Sequence, residues 1–375
     1  MTRAPEPRQR TAVLAANSAW NIVNFRRPLV DALRKAGWRV IALAPDDGHA
    51  AAVVALGAEF QPIGIASSGT SPIADGRLFV EYLATLRRLR PQAFLGFTVK
   101  PNIYGSLAAR LLGIRTINNI SGLGTAFMTG GALNRLVTAL YRLALRKSHR
   151  VLFQNPEDQS LFVEKGLVRP GQTALVPGSG IDLRHFQPPA EAPARQKPFR
   201  FLFVGRLLRD KGLIEFAEAA RLLRPAWPEA QFAILGFAGS DNRSAVPIAE
   251  VERWQREGIV EYLGDSADVR PFLRDADCVV LPSYREGLPR SLLEAAAMAR
   301  PMIATDVPGC RELVAHGDNG LLCEARSPAS LAAAMEAMLR LGPEERQAMG
   351  RRGRQRVERQ FDQQIVVDAY LEALR

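Results

Sequence analysis

The chain has 375 residues, 47% hydrophobic and 23% charged, with a mean hydropathy of −0.05 and a net charge of +11. That length suits two domains rather than one core, and the composition is that of a soluble globular protein, which excludes a disordered chain and a bundle of membrane helices. Cys278, Cys310 and Cys323 are odd in number and lack CxxC spacing, so a reducing cytosol without a disulfide framework or a thiolate metal site is expected.

Met1 to Arg10 is polar and basic, so no secretory segment is expected there. Thr11 to Ala16 reads as a short apolar strand, Phe25 to Ala36 as an amphipathic helix closed by Gly37, and Arg39 to Ala44 as a second strand, a βαβ opening. The loop Asn17-Ser18-Ala19-Trp20-Asn21 has no GxGxxG, which removes the best support for nicotinamide chemistry. The alternation continues with a helix at Ala50 to Leu56, a strand at Glu59 to Pro62, a helix at Gly76 to Leu89, a strand at Ala93 to Gly96, a helix after Pro101 and a strand at Thr116 to Asn118. Thr116 to Asn134 is the longest uncharged window, but its glycines with Asn118, Asn119 and Ser121 make it a loop and not a membrane span. The helix Ala132 to Lys147 sets Leu136, Leu140 and Leu143 near one side beside Arg135, Arg142, Arg146 and Lys147. Such a helix either lies on an anionic leaflet or covers a sheet with a solvated basic edge. A strand at Val151 to Phe153 and a helix after Pro156 complete an alternation that implies a parallel sheet covered on both faces.

The proline-rich polar stretch His185 to Pro198 reads as a linker. The pattern then restarts: strand Arg200 to Val204, helix Leu213 to Leu223, strand Gln231 to Leu235, helix Ile248 to Glu257, strand Val260 to Leu263. Cys278 to Leu281 reads as a buried strand, Pro282 to Pro289 supply turn signals, and a helix follows from Pro289, at its first position, to about Ala299. Glu344 to Leu374 is helical in period, and its patch Arg351-Arg352-Gly353-Arg354 suits a solvated surface helix. The expected architecture is α/β: two Rossmann-like, doubly wound parallel-sheet domains facing a cleft, 1–190 and 191–355, with a helix over 356–375 returning toward the first.

The charge is unevenly placed. Residues 1–190 hold 23 Lys+Arg against 11 Asp+Glu, or +12, while 191–375 hold 26 against 27, or −1. The excess points to an anionic partner of the first half, whether a phosphorylated acceptor, an acidic membrane face or nucleic acid; a general preference for arginine that serves solubility is the alternative.

Two stretches of the second half carry chemistry. In Ser283 to Glu294, two glutamates, Glu286 and Glu294, flank a helix start whose amides around Gly287 and Leu288 would welcome an anion. Glu286 is placed to accept hydrogen bonds from neutral hydroxyls and Glu294 projects toward a more distant part of the same ligand, which suits a nucleotide-sugar; two solvated glutamates on an ordinary strand-loop-helix are the plain alternative. Gly205-Arg206 to Lys211-Gly212 follows the first strand of this half, where Arg206 can fork onto phosphate oxygens and Lys211 can supply a point charge. Asp275-Ala276-Asp277 spells a DxD metal motif, but it ends a short helix that runs straight into a strand, so a structural role and no metal are expected. His49, His149, His185 and His316 lack ligand spacing.

Together with Asp306-Val307-Pro308-Gly309-Cys310-Arg311-Glu312, Gly317-Asp318-Asn319-Gly320 and Gly178-Ser179-Gly180-Ile181-Asp182, these stretches resemble the retaining glycosyltransferases of family 4, which have the two-domain GT-B fold. In the first half, Lys100-Pro101-Asn102-Ile103-Tyr104-Gly105 and Ser121-Gly122-Leu123-Gly124 are similar to the PglA type, which adds an N-acetylhexosamine, typically GalNAc, to a sugar on undecaprenyl diphosphate. The resemblance implies that Arg206 and Lys211 take the donor diphosphate with the amides of Gly287 and Leu288, Gly205 and Pro289 lying beside them. It further implies Glu294 on the ribose hydroxyls, Glu286 on the transferred sugar, and the base by Leu263 in the loop Tyr262-Leu263-Gly264. Asn17 and Ser18, with Ser121 and Gly122, would line the cleft near the diphosphate and acceptor, and Phe25-Arg26-Arg27 is a second candidate to meet an acceptor diphosphate. Where many relatives carry a histidine near the donor sugar, this chain has Asn118, Asn119 and Ser121.

The implied activity uses a UDP-sugar donor and a lipid-diphosphate-linked sugar acceptor, with no metal or other cofactor, at the anionic inner face of the cytoplasmic membrane. A soluble acceptor or another nucleotide-sugar is the nearest alternative. A nucleic-acid-binding protein, prompted by the pI near 10.1, would need basic residues interleaved with exposed aromatics, and the sequence presents none, so no nucleic acid is expected.

Overall fold

The computed structural model describes residues 9–65, 71–122, 131–189, 198–239, 242 and 244–375, without the side chains of 131–133. It forms two compact units, Met1–Ser179 with Gln363–Arg375, and Gly180–Asp362.

The first unit is built on β1 (Thr11–Ala15), α1 (Ala19–Phe25), α2 (Arg27–Lys35), β2 (Arg39–Ala44), α3 (Ala50–Ala55), β3 (Glu59–Pro62), α4 (Pro72–Leu89) and β4 (Ala93–Gly96). A π-helical turn, Pro101–Gly105, leads into α5 (Ser106–Leu111), followed by β5 (Arg115–Ile120), α6 (Gly131–Leu145), β6 (Arg150–Phe153), α7 (Pro156–Glu164) and β7 (Thr173–Leu175). All seven strands run parallel in the order β3-β2-β1-β4-β5-β6-β7. Successive residues point to opposite faces. Ala12 and Leu14 therefore join Leu29, Leu33 and Val53 in one core, while Val13 and Ala15 join Leu78, Tyr82 and Leu86 in another. Strands buried on both faces carry unbroken apolar runs, which is why the βαβ pattern was readable from sequence.

The opening departs from the expected single helix. The loop is only Ala16-Asn17-Ser18, because Ser18 caps α1, its Oγ accepting the Asn21 amide at 3.1 Å. The turn then breaks at Arg26, since Pro28 has no amide to continue the ladder and instead opens α2. Arg26 is buried at 4% exposure with its guanidinium 4.1 Å from the Phe97 ring centroid, so it is packed inside this unit instead of presented to an acceptor; Arg27 is exposed.

The second unit comprises β8 (Arg200–Val204), a 3-10 turn at Arg209–Lys211, α8 (Leu213–Leu223), β9 (Gln231–Leu235), α9 (Ile248–Arg256), β10 (Glu261–Tyr262), α10 (Arg270–Asp275) and β11 (Cys278–Leu281). After these come α11 (Arg290–Ala297), β12 (Met302–Thr305), β13 (Gly320–Cys323), α12 (Pro328–Arg340) and α13 (Pro343–Gln360). Its six strands are parallel in the order β10-β9-β8-β11-β12-β13.

The units part at Gly180, upstream of the expected proline-rich linker, of which 190–197 lie outside the described residues. Phe186, 5% exposed, belongs to the second core, and the Ile181 amide donates to Phe361 O at 2.9 Å in a parallel bridge with Asp362. Burial and pairing thus assign 180–189 to the second unit. The expected helix from Glu344 onward is likewise two helices, α13 and α14 (Gln363–Ala373), separated at Phe361-Asp362. Val366, Tyr370 and Ala373 of α14 are buried in the first unit, where the Tyr370 hydroxyl accepts from Asn119 Nδ2 at 2.7 Å. Arg354 also differs from a solvated basic patch. Its Nη1 donates to Phe186 O at 2.6 Å and Ala297 O at 2.7 Å, clamping α13 to the segment after Gly180. Among the described residues no helix is long and apolar enough to cross a membrane.

Candidate functional site

The carboxyl edge of the second sheet is assembled by close backbone approaches. Gly212 ends the 3-10 turn at φ +75°, and a Cβ there would lie 2.0 Å from Pro282 O, so only glycine lets the loop after β8 meet the loop after β11. Two bonds to Asp210 O then tie the loops together, from Ser283 Oγ at 3.0 Å and from the Tyr284 amide at 2.9 Å. The loop before α11 is braced from below: the Glu286 amide donates to Pro308 O at 3.2 Å, and Gly309 lies against the carbonyls of Glu286 and Gly287.

This lashing brings Lys211 onto Glu286, and the two form an ion pair between half-buried side chains. One turn into α11, Glu294 is 9% exposed and its Oε1 accepts from Arg290 Nε at 2.8 Å. Burial raises the Glu294 carboxyl above the ordinary glutamate value, and Arg290 opposes that rise by favouring the ionised form. Arg206 is exposed and makes no ion pair among the described residues, so one positive charge is left over beside two neutralised pairs. Pro289, expected as the first helical residue, is the N-cap of α11 with extended backbone, φ −73° and ψ 118°, and the helix begins at Arg290. At the far end of the same edge, Leu263 donates its amide to Ile234 O at 2.9 Å and Tyr262 OH donates to Gly236 O at 3.0 Å, which fixes the loop after β10 to the loop after β9.

Gly205, Arg206, Lys211, Leu263, Glu286, Gly287, Leu288, Pro289 and Glu294 therefore share one sheet edge. Asn17, Ser18, Ser121 and Gly122 follow β1 and β5 at the carboxyl edge of the other sheet, with Asn17 and Ser121 exposed, Ser18 engaged as a cap and Ser121 Oγ donating to Phe97 O at 3.3 Å. Leu123 and Gly124 lie outside the described residues. Asn118 and Asn119 do not line a site. Both are fully buried: Asn118 Nδ2 donates to Asn102 Oδ1 at 2.9 Å and Ser106 Oγ at 2.7 Å, Ser148 Oγ donates to Asn118 Oδ1 at 2.7 Å, and Asn119 binds Tyr370 and Gln154. A satisfied network of this kind fixes β5 against its neighbours.

The DxD pair sits at the opposite, amino edge of the second sheet. Asp277 Oδ2 accepts the Arg200 amide at 2.8 Å and Asp275 lies 3.9 Å from the Arg200 guanidinium, so both carboxylates serve the start of β8. Sequence reasoning missed Arg290, although its position four residues before Glu294 on a helix was a readable signal. It also missed Asp210 and Gly309, whose roles depend on chain segments far away in sequence.

Residues 22–178 match the family described as "Glycosyl transferase 4-like domain" and residues 198–340 match "Glycosyl transferases group 1". The N,N'-diacetylbacillosaminyl-diphospho-undecaprenol alpha-1,3-N-acetylgalactosaminyltransferase of Campylobacter jejuni is 26% identical over 85% of this chain and 86% of its own. The UDP-Gal:alpha-D-GlcNAc-diphosphoundecaprenol alpha-1,3-galactosyltransferase of Escherichia coli is 25% identical over 68% of each chain. HepE of Anabaena, solved in complex with UDP and glucose, superposes with a TM-score of 0.79 over 97% of this chain and 98% of its own, at 18% identity.

Proposed function

Because the chain belongs to the retaining glycosyltransferases of family 4 with the GT-B fold, we propose that it moves a hexose or N-acetylhexosamine, GalNAc above others, from a UDP-sugar to a sugar on undecaprenyl diphosphate in cell-surface glycan assembly. The observation that carries this reading is the sheet edge where Arg206 and the Lys211–Glu286 and Arg290–Glu294 pairs stand together. Cations there meet a diphosphate, and carboxylates already held in place accept hydrogen bonds from sugar and ribose hydroxyls.

In the transfer, the bond from the sugar's anomeric carbon to the diphosphate oxygen breaks and a bond to the acceptor oxygen forms on the same face. The acceptor proton passes to the leaving UDP. No side chain here need act as a nucleophile; the task is to stabilise charge growing on the leaving oxygen, which Arg206 and Lys211 do by position. The proposed chemistry uses no metal, so activity is expected to persist in EDTA, and loss restored by manganese would overturn that part of the reading. Product mass from a panel of UDP- and GDP-sugars, with a short polyprenyl-diphosphate-sugar acceptor, tests the whole: transfer from UDP-GalNAc above the others is expected, and transfer only to soluble acceptors would sink it.

The enzyme's proposed station is the cytoplasmic face of the membrane. Leu136 and Leu143 are 53% and 55% exposed on α6 beside exposed Arg135, Arg142, Arg146 and Lys147, which suits an anionic leaflet. Flotation with anionic liposomes that is lost at high salt, and lost again in the Leu136→Ser, Leu143→Ser double variant, is the expected result. Equal flotation with neutral liposomes would count against it.

A further inference from the structure

We propose that Arg290 is a positioning residue for the ribose subsite, holding the Glu294 carboxylate in the orientation that accepts the ribose hydroxyls. This rests on the reading above that Glu294 serves the ribose. The guanidinium is fixed at both ends. Its Nε donates to Glu294 Oε1 at 2.8 Å, and its Nη1 donates to Gly180 O at 3.3 Å, on the segment where the second unit begins. A buried carboxylate on one side and a buried backbone carbonyl on the other leave the planar fork little freedom to turn.

Helix energetics do not account for the pair. An acidic residue preceding a basic one at i,i+4 is the favourable order, and a cation in the first turn faces the positive end of the helix dipole. Arg290 opens α11 and Glu294 follows it, so the order is reversed and the arginine sits at the unfavourable end. What the arrangement does achieve is local: it aims a nearly buried carboxylate and opposes its protonation. Among the described residues, the charged groups acting on Glu294 are Arg290 and, from the loop before α10, Asp268, which disfavours the ionised form and is itself held by Arg270 at 2.7 Å. Without Arg290, Glu294 is left to burial and a second carboxylate, with no cation opposing them among the described residues. It then takes up a proton more readily and loses acceptor capacity for the ribose.

The test compares the affinity for UDP and for 2′,3′-dideoxy-UDP in the wild type, Arg290→Gln, Arg290→Lys and Glu294→Gln, with the unfolding midpoint of each as a control. The wild type is expected to prefer UDP by about tenfold or more. Arg290→Gln should reduce that preference to the level of Glu294→Gln, raise the donor KM with little change in kcat, and move the acid limb of UDP binding to higher pH. Arg290→Lys, which keeps charge without the two-ended fork, should fall between. A wild-type preference retained in Arg290→Gln would overturn the inference alone. A wild type indifferent to the ribose hydroxyls would overturn both the inference and the ribose role of Glu294.

Discussion

Lys211→Ala is expected to lower kcat by about 10²- to 10³-fold, the loss seen when one preorganised donor to a developing negative charge is removed. The side chain stands at the end of β8, paired with Glu286 from the loop after β11, so it supplies a cation at the leaving diphosphate and also fixes the carboxylate proposed to meet the transferred sugar. Both roles fail together in the alanine variant. They separate in Glu286→Gln, which keeps the cation and is expected to raise the donor KM more than it lowers kcat. Because the two residues act as a unit, the double variant should be less than additively impaired. Removing Lys211 leaves the mostly buried Glu286 carboxylate without that cation, so a loss of about 1–3 kcal/mol in unfolding free energy is expected, with the fold intact. Single-turnover kinetics with donor and acceptor saturating give the measurement; turnover within a few-fold of wild type, in a variant that unfolds normally, would remove Lys211 from the mechanism.

The parts of this chain that could be read from sequence are those whose information is local. Arg39–Ala44, Ala93–Gly96, Arg200–Val204 and Cys278–Leu281 have the bounds expected of them, since strands covered on both faces leave a compact apolar signature. The helix Ala19–Phe25 did not, because Trp20, Asn21 and Asn24 interrupt its apolar period and its cap, Ser18, was read only as a site residue. Asn118 and Asn119, which stand where many relatives carry a histidine, could not be placed from sequence for a different reason. Two adjacent asparagines at a strand end look like ligand groups until their partners are known, and one of those partners, Tyr370, is 251 positions away. At the site, the glutamate spacing was visible, whereas the pairing of Lys211 with Glu286, 75 positions apart, exists only once two loops are lashed together. The sequence therefore names the charges of the site more readily than the contacts that aim them.

Those contacts can be tested through a pair of glycines with the same backbone conformation and opposite surroundings. Gly309 has φ +84° and a Cβ there would lie 2.6 Å from both Glu286 O and Gly287 O; Gly317 has φ +77° and nothing within 4 Å. An alanine at either position bears the left-handed strain, about 1 kcal/mol. At Gly317 that is the whole effect expected, with activity within about twofold of wild type. At Gly309 the methyl group must displace backbone that no rotamer change can move, so a total loss near 3 kcal/mol is expected. The displaced segment carries Glu286 away from Lys211, and a misplacement of this kind costs about tenfold or more in kcat/KM. Denaturant midpoints and steady-state rates on the two alanine variants give the comparison. If Gly309→Ala proved no worse than Gly317→Ala in both, the close approach would not be what aims Glu286, and the ion pair with Lys211 would have to hold that loop by itself.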